Sequence, residues 1–360
     1  MRRPGHGDVV APALALAERL ISATSLESVS PPLSVLDLAP IAAGQSAADA
    51  LAGTTAVALR ADELGYKRFW VAEHHNIPSV ASTAPETLIA HLAARTERIR
   101  VGSGGVMLPN HSPLAVAERF AMLEALHPHR IDLGLGRAPG TDQRTAMVLR
   151  SGDPNAFPEQ FAQLKGFLGD GYGGIRAVTG EHTVPELWML GSTDGGARIA
   201  GPLGIPFVFA HHFHPHFTEP ALQIYRDLFE PSELADVPRT IVCAAIVVGE
   251  DDEDAARLAL PGGVSMLRLR QGRPAPLPSV EQAEQIVAGL SGAELAVVED
   301  AIARAIVGGP RTVHSQLLDL AERTQTDELM VTSHVADPAR RARGLEHVAR
   351  AFELEAQPIG

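Results

Sequence analysis

Residues 73–76 read Glu-His-His-Asn and follow directly on an apolar run. Ionisable groups at the end of a buried segment are costly without partners, so such a row calls for an explanation. Histidine titrates near neutral pH, so His74 or His75 could move a proton. One histidine alone would read as a hydrogen-bonded core residue; the triplet reads better as functional. Residues 102–109, Gly-Ser-Gly-Gly-Val-Met-Leu-Pro, set glycines inside an apolar strand. That pattern marks a bulge or the close approach of a ligand. It is no dinucleotide fingerprint, because position 107 is Met, and Gly134 with Gly136 fails likewise at Pro139. Arg137 lies between Gly136 and Gly140. Its planar fork suits a phosphate or carboxylate, although a surface arginine in a turn is an equal reading. Residues 191–196, Gly-Ser-Thr-Asp-Gly-Gly, put hydroxyls and glycine amides ahead of a helical stretch. This is an anion-binding arrangement, shared with ordinary helix caps. Finally, His211, His212, His214 and His216 crowd six residues.

These groups need a scaffold. Eight β-type runs occur at 33–41, 68–73, 99–108, 130–135, 187–190, 206–210, 239–248 and 328–332. Several are nearly all apolar, as in parallel strands covered on both faces. Helical stretches separate them. Thr83 and Glu86 have capping-box spacing, and Ser112-Pro113 and Asp337-Pro338 each pair an N-cap with a proline at the first helical position. Eight alternating units predict the α/β class and a single (β/α)8 TIM barrel, with working groups at the strand C-terminal ends. Residues 251–326 are too long for one crossover helix and read as an insertion between strands 7 and 8. Metal-dependent hydrolases on barrels also carry histidine clusters but add a histidine pair on strand 1, where Asp37 is here the lone ionisable group. No metal ligands are therefore assigned; a mononuclear metal hydrolase stands as the alternative.

The chain has 360 residues, 45% hydrophobic and 20% charged, which excludes a disordered or fibrous protein. A net charge of −13 argues against nucleic acid or an anionic membrane as partner. A lone cysteine, Cys243, excludes an internal disulfide and a cysteine-based zinc cluster. No apolar run reaches the ~18 residues of a membrane span. Arg2-Arg3 and the apolar residues 9–17 imitate a signal peptide, but Asp8 and Pro12 interrupt it. Residues 1–31 read as a flexible N-terminal extension, 32–360 as the barrel, and the expected location is cytoplasmic.

Together the segments 72–76 (AEHHN), 101–113 (VGSGGVMLPNHSP), 129–140 (HRIDLGLGRAPG), 190–196 (LGSTDGG) and 209–213 (FAHHF) resemble the bacterial luciferase-like flavin-dependent monooxygenases. The resemblance implies a barrel that binds reduced FMN, received from a separate flavin reductase. It further implies reaction with O2 through a C4a-peroxyflavin to oxygenate a small aldehyde, ketone or aromatic polyketide. It makes His74 the catalytic histidine. It puts a non-proline cis peptide at Gly104-Gly105 and the flavin against Ser103, Gly104, Gly105, Val106 and Met107. Arg137, Gly191, Ser192, Thr193, Gly195 and Gly196 fall at the phosphate end, and His75, Asn110, His211, His212 and Phe213 in the substrate pocket. A deazaflavin-dependent oxidoreductase of the same superfamily is the alternative. Family members are often homodimers, and helix 113–126 carries two apolar stripes: Leu114, Ala117 and Ala121, and Val116, Phe120 and Leu123. One stripe covers a barrel, so the second is expected to face a partner.

Overall fold

All eight expected runs form strands, because their apolar residues are covered on both faces; β7 is buried along all nine of its residues. The computed structural model describes residues 30–178 and 183–355. The expected N-terminal extension lies almost wholly outside the described residues. Nine strands occur among those described: β1 (Leu33–Asp37), β2 (Arg68–Val71), β3 (Arg100–Met107), β4 (Ile131–Gly136), β5 (Glu186–Gly191), β6 (Phe207–Ala210), β7 (Thr240–Val248), β8 (Ile306–Gly308) and β9 (Glu328–Thr332). Between them run the helices α1 (Ala47–Glu63), α2 (Pro85–Ala93), α3 (Pro113–Leu126), α4 (Gln143–Leu149), α5 (Phe157–Leu168), α6 (Asp194–Ala200) and α7 (Thr218–Asp227). They continue as α8 (Asp252–Arg270), α9 (Val280–Ala288), α10 (Gly292–Ala303), α11 (Pro310–Thr324) and α12 (Pro338–Ala351).

Strands β1 to β7 pair in sequence and in parallel, and β9 closes the ring between β7 and β1. The result is a closed eight-stranded (β/α)8 barrel. The insertion is more elaborate than expected. It holds α8, α9, α10 and the three-residue β8, which pairs with the far end of β7 outside the barrel. Three residues make too short a run for an apolar pattern to announce them.

The barrel interior is filled by Leu36, Trp70, Ala72, Trp188, Val208, Ile241, Cys243 and Met330. Its floor, at the strand N-terminal ends, is ionic. Buried Arg68 meets Asp132 at 2.9 Å, Glu186 at 2.6 Å and Glu328 at 2.9 Å. Burial alone would raise the Glu186 pKa, but Arg68 and Arg100 outweigh it and hold the carboxyl at about 2. The Trp70 indole donates to Asp132 at 2.8 Å, tying the floor to the interior.

Two local expectations are corrected. The capping box at Thr83 and Glu86 does not form: α2 starts from Ala84 with no side-chain cap, Pro85 needing none at its own position. Ser112 occupies the N-cap of α3 without making the cap bond, whereas the Asp337 carboxylate accepts from two amides of α12. The stripes on α3 are corrected as well. Val116, Phe120 and Leu123 are as buried as Ala117 and Ala121, and α3 packs against α5 as well as the barrel. What α3 leaves open is Met122 and Leu126, at 65% and 64% exposure.

Candidate active site

The C-terminal ends of the strands surround a cavity of about 380 Å³. Its walls are largely apolar, with Leu36, Trp70, Val208 and Met330 below and Ile77 and Val80 at the side. Helix α8 of the insertion roofs it with Gly262, Ser265, Met266 and Leu269. The two adjacent glycines of α8 differ. A Cβ on Gly263 would lie 2.7 Å from Val298 of α10, whereas one on Gly262 would meet nothing closer than the Cβ of His334 at 3.9 Å.

His74 stands on the cavity wall just beyond β2. Its Nδ1 lies 3.3 Å from the Gly140 carbonyl oxygen. A carbonyl only accepts, so Nδ1 carries the hydrogen and Nε2 keeps its lone pair. Burial lowers the His74 pKa; the Gly140 bond and Glu73 act in the opposite sense, but the net shift is downward. His74 is therefore neutral at pH 7, with a basic nitrogen that has no hydrogen-bond partner among the described residues.

Behind it, Glu73 is fully buried yet ionised. Burial would raise its pKa, but bonds from His111 and His75 and the Met107 amide bring it below the ordinary value. The carboxylate is met by His75 Nε2 at 2.8 Å, His111 Nε2 at 3.0 Å, Asn110 Nδ2 at 3.1 Å and the Met107 amide at 2.9 Å. Asn110 also donates to the Pro139 carbonyl at 3.0 Å, and the His75 amide to that of Gly140 at 3.1 Å. The hub thus joins the ends of β2 and β3 to the loop carrying Arg137 and Gly140.

The residues expected at the substrate end divide. His212 and Phe213 line the cavity, their rings 4.3 Å apart. His75 and Asn110 turn to Glu73, and His211 turns to Thr218 at 2.8 Å; none of the three is on the cavity wall. Their placement follows from charge: a buried carboxylate gathers nearby donors. His212 Nδ1 donates to the Cys243 carbonyl at 3.0 Å, and burial pushes its pKa down to about 4. The histidine run does not converge, and among the described residues no group of three or more histidine, cysteine or acidic side chains is placed to hold a metal.

The residues expected at the flavin divide too. Gly104, Met107, Arg137, Gly191, Ser192 and Thr193 line the cavity. Ser103 is buried and donates to the Gly134 carbonyl at 2.9 Å, and Val106 faces the outer core. The Gly104–Gly105 peptide is cis, and the pairing of β3 with β4 shifts register between Gly104 and Val106. Gly105 allows the strands to approach, since a Cβ there would lie 2.7 Å from the Gly134 oxygen. Gly191 and Gly196 make room for the Phe207 ring, and Gly195 for the Arg137 guanidinium, 3.1 Å from its would-be Cβ. Among the described residues Arg137 has no carboxylate partner, and the Thr193 hydroxyl makes no cap bond to α6.

Sequence reasoning missed His334. It follows β9 by two residues, lines the same cavity as His74 and His212, and has its pKa lowered by burial and by His74. Its place after a strand C-terminal end was the available signal. The roof residues on α8 carried none, since Ser265, Met266 and Leu269 are ordinary helical residues.

The luciferase-like monooxygenase family model matches residues 32–327. A luciferase-like monooxygenase of Escherichia coli K12 is 41% identical over 319 residues, covering 87% of this chain and 94% of its own. The N-acetyl-S-alkylcysteine monooxygenase of Bacillus subtilis is 37% identical over 265 residues, covering 70% and 78%. The crystal structure of apo-MsnO8 superposes with a TM-score of 0.86 at 38% identity, covering 91% of this chain and 99% of that one. The fold is also shared, below 25% identity, by a 3,6-diketocamphane monooxygenase in complex with FMN and by a coenzyme F420-dependent tetrahydromethanopterin reductase, with TM-scores of 0.65 and 0.59 and coverage of 89% of this chain in both cases and of 98% and 99% of theirs. This chain belongs to the luciferase-like monooxygenase family.

Proposed function

We propose that the protein is a monooxygenase that takes reduced FMN from a separate reductase and uses O2 to oxygenate a small, largely apolar substrate. The reading is carried by one observation: Arg137, which has no carboxylate partner among the described residues, shares a cavity with Ser192, Thr193 and the neutral His74. The donor set fits the cofactor. Arg137 is the sole lysine or arginine among the described residues of the wall, matching the single terminal phosphate of FMN. The apolar wall and the bare edge at Gly104 suit a flat aromatic ring. Bound there in reduced form, the flavin supplies the electrons that activate O2, one oxygen atom entering the substrate and the other leaving as water.

The chain's own part is binding, desolvation and proton control. Arg137, Ser192 and Thr193 would hold the phosphate. The apolar wall and the α8 roof exclude water, which strengthens every charge interaction inside. His74 Nε2 can accept a proton and return it, and its Nδ1–H bond to Gly140 keeps the ring aimed at the cavity. Anaerobic calorimetric titration with reduced FMN, in parallel with reduced F420, tests the reading. Saturable binding of FMN in preference to F420 supports it. Binding of F420 alone favours the deazaflavin alternative, and binding of neither overturns both.

A further inference from the structure

A second chamber, of about 130 Å³, adjoins the main cavity. Five residues line both: His212, Phe213, Gly262, Met266 and His334. Its walls come from Ala245, Ile246 and Val247 of β7 and from the facing sides of α8 and α10, so its body is apolar. Its outer end is not. Arg270, in the last turn of α8, and Arg304, just past α10, both line it. They share a single carboxylate, Asp300, at 3.0 Å and 2.9 Å. Hydrogen bonds from Arg304 and Arg270 hold the Asp300 carboxyl below its ordinary pKa, so at pH 7 it neutralises one of the two. One positive charge is left over, on a chain whose net charge is −13. Arg304 also donates to the Phe213 carbonyl at 2.9 Å, so the cationic end is fixed to the residue that stands between the chambers.

We propose that this side chamber is a substrate subsite, and that the substrate is an elongated amphiphile whose carboxylate is held by Arg270 and Arg304 while its apolar body reaches past Phe213 and Met266 to His74. This substrate class rests on the monooxygenase reading above. An apolar chamber that shares its lining with the main cavity and carries a surplus guanidinium selects for such a molecule. The apolar part contributes affinity by area, and the arginine fork contributes directional, charge-assisted bonds that a neutral end group cannot make. The carboxylate end fixes how far the other end extends toward the main cavity, so the same contact sets which carbon or heteroatom is presented there.

Octanoate and octanol, equal in chain length and differing in the charged end, are suitable probes for calorimetric titration of the flavin-free protein. Octanoate should bind about tenfold more tightly than octanol. Arg270→Gln leaves Asp300 and Arg304 as a neutral pair and should abolish that preference, with octanol unchanged. Asp300→Asn frees both arginines and should strengthen octanoate several-fold. A purely structural role for the trio would move both variants in one direction. Equal binding of the two probes, no octanoate binding at millimolar concentration, or variants shifting together would each overturn the subsite. Reduced FMN titrated into the same preparations separates the two claims. Flavin binding without an octanoate preference removes the subsite alone, and failure of flavin binding removes the function on which it rests.

Discussion

The Gly140 carbonyl oxygen accepts twice from one dipeptide, from the His74 ring at 3.3 Å and from the His75 amide at 3.1 Å. A loop leaving β4 thereby fixes the tautomer of a side chain leaving β2. Glycine is required at 140, where φ is +66° and a Cβ would sit 2.6 Å from the Glu73 carbonyl oxygen. The basic nitrogen of His74 thus owes its aim to a backbone contact that an alanine would break.

His74→Ala should keep reduced-FMN affinity within a few fold, because the phosphate contacts lie elsewhere on the wall. Product formed per flavin oxidised should fall about 10²–10⁴-fold, the usual contribution of a positioned acid–base group. The check is product quantitation in single-turnover mixing with oxygenated buffer. Unchanged yield would refute the assignment.

Arg137→Gln should weaken reduced FMN by about tenfold or more, since a bond to a charged group contributes about 1.5–3 kcal/mol. Reduced riboflavin lacks the phosphate and should bind wild type and variant alike. Equal losses for both ligands would place Arg137 away from the phosphate.

Acid should destabilise the protein before its carboxylates titrate. His74, His211, His212 and His334 all have folded pKa values below 6.5, and His211 and His212 fall to about 4. A depressed folded value means the stability is complete above the unfolded pKa of about 6.5 and is lost as pH falls toward the folded value. Urea midpoints should therefore drop between pH 6.5 and pH 4. His212→Asn, which retains a donor for the Cys243 carbonyl, should flatten that slope. A midpoint constant across the window would contradict it.

Arg68→Met should cost about 3–5 kcal/mol in chemical denaturation, because the buried Asp132 and Glu328 would lose their shared buried cation and keep only the more exposed Arg100 and Lys67. The floor lies at the opposite end of the strands from the cavity. Whatever fraction stays folded should bind reduced FMN as wild type does.

The eight barrel strands were legible because each needs only an apolar run and a turn to declare it; strand-end placement then pointed to the 73–76 row, Arg137 and residues 191–196, while the choice of His74 over His75 came from the family resemblance. Contacts decided by tertiary charge were not. Glu73 looks in sequence like one member of a triplet, yet it is the buried anion that turns His75 and Asn110 away from the cavity. His111 gave no sign of joining it. Arg68, Asp132, Glu186 and Glu328 are scattered over 260 positions and meet only because the barrel closes. The α3 stripes misled because an amphipathic count cannot say that both will be buried within the same chain.

The glycine pair of α8 separates two demands that usually conflict. Gly263 is committed to the helix interface, where any side chain would force α10 aside, while Gly262 opens only onto the space between roof and histidines. A methyl at 262 would subtract from room for substrate without touching the packing that holds the roof in place. Position 262 is therefore a volume dial decoupled from stability, so the shape of the cavity can change without first passing through a less stable chain.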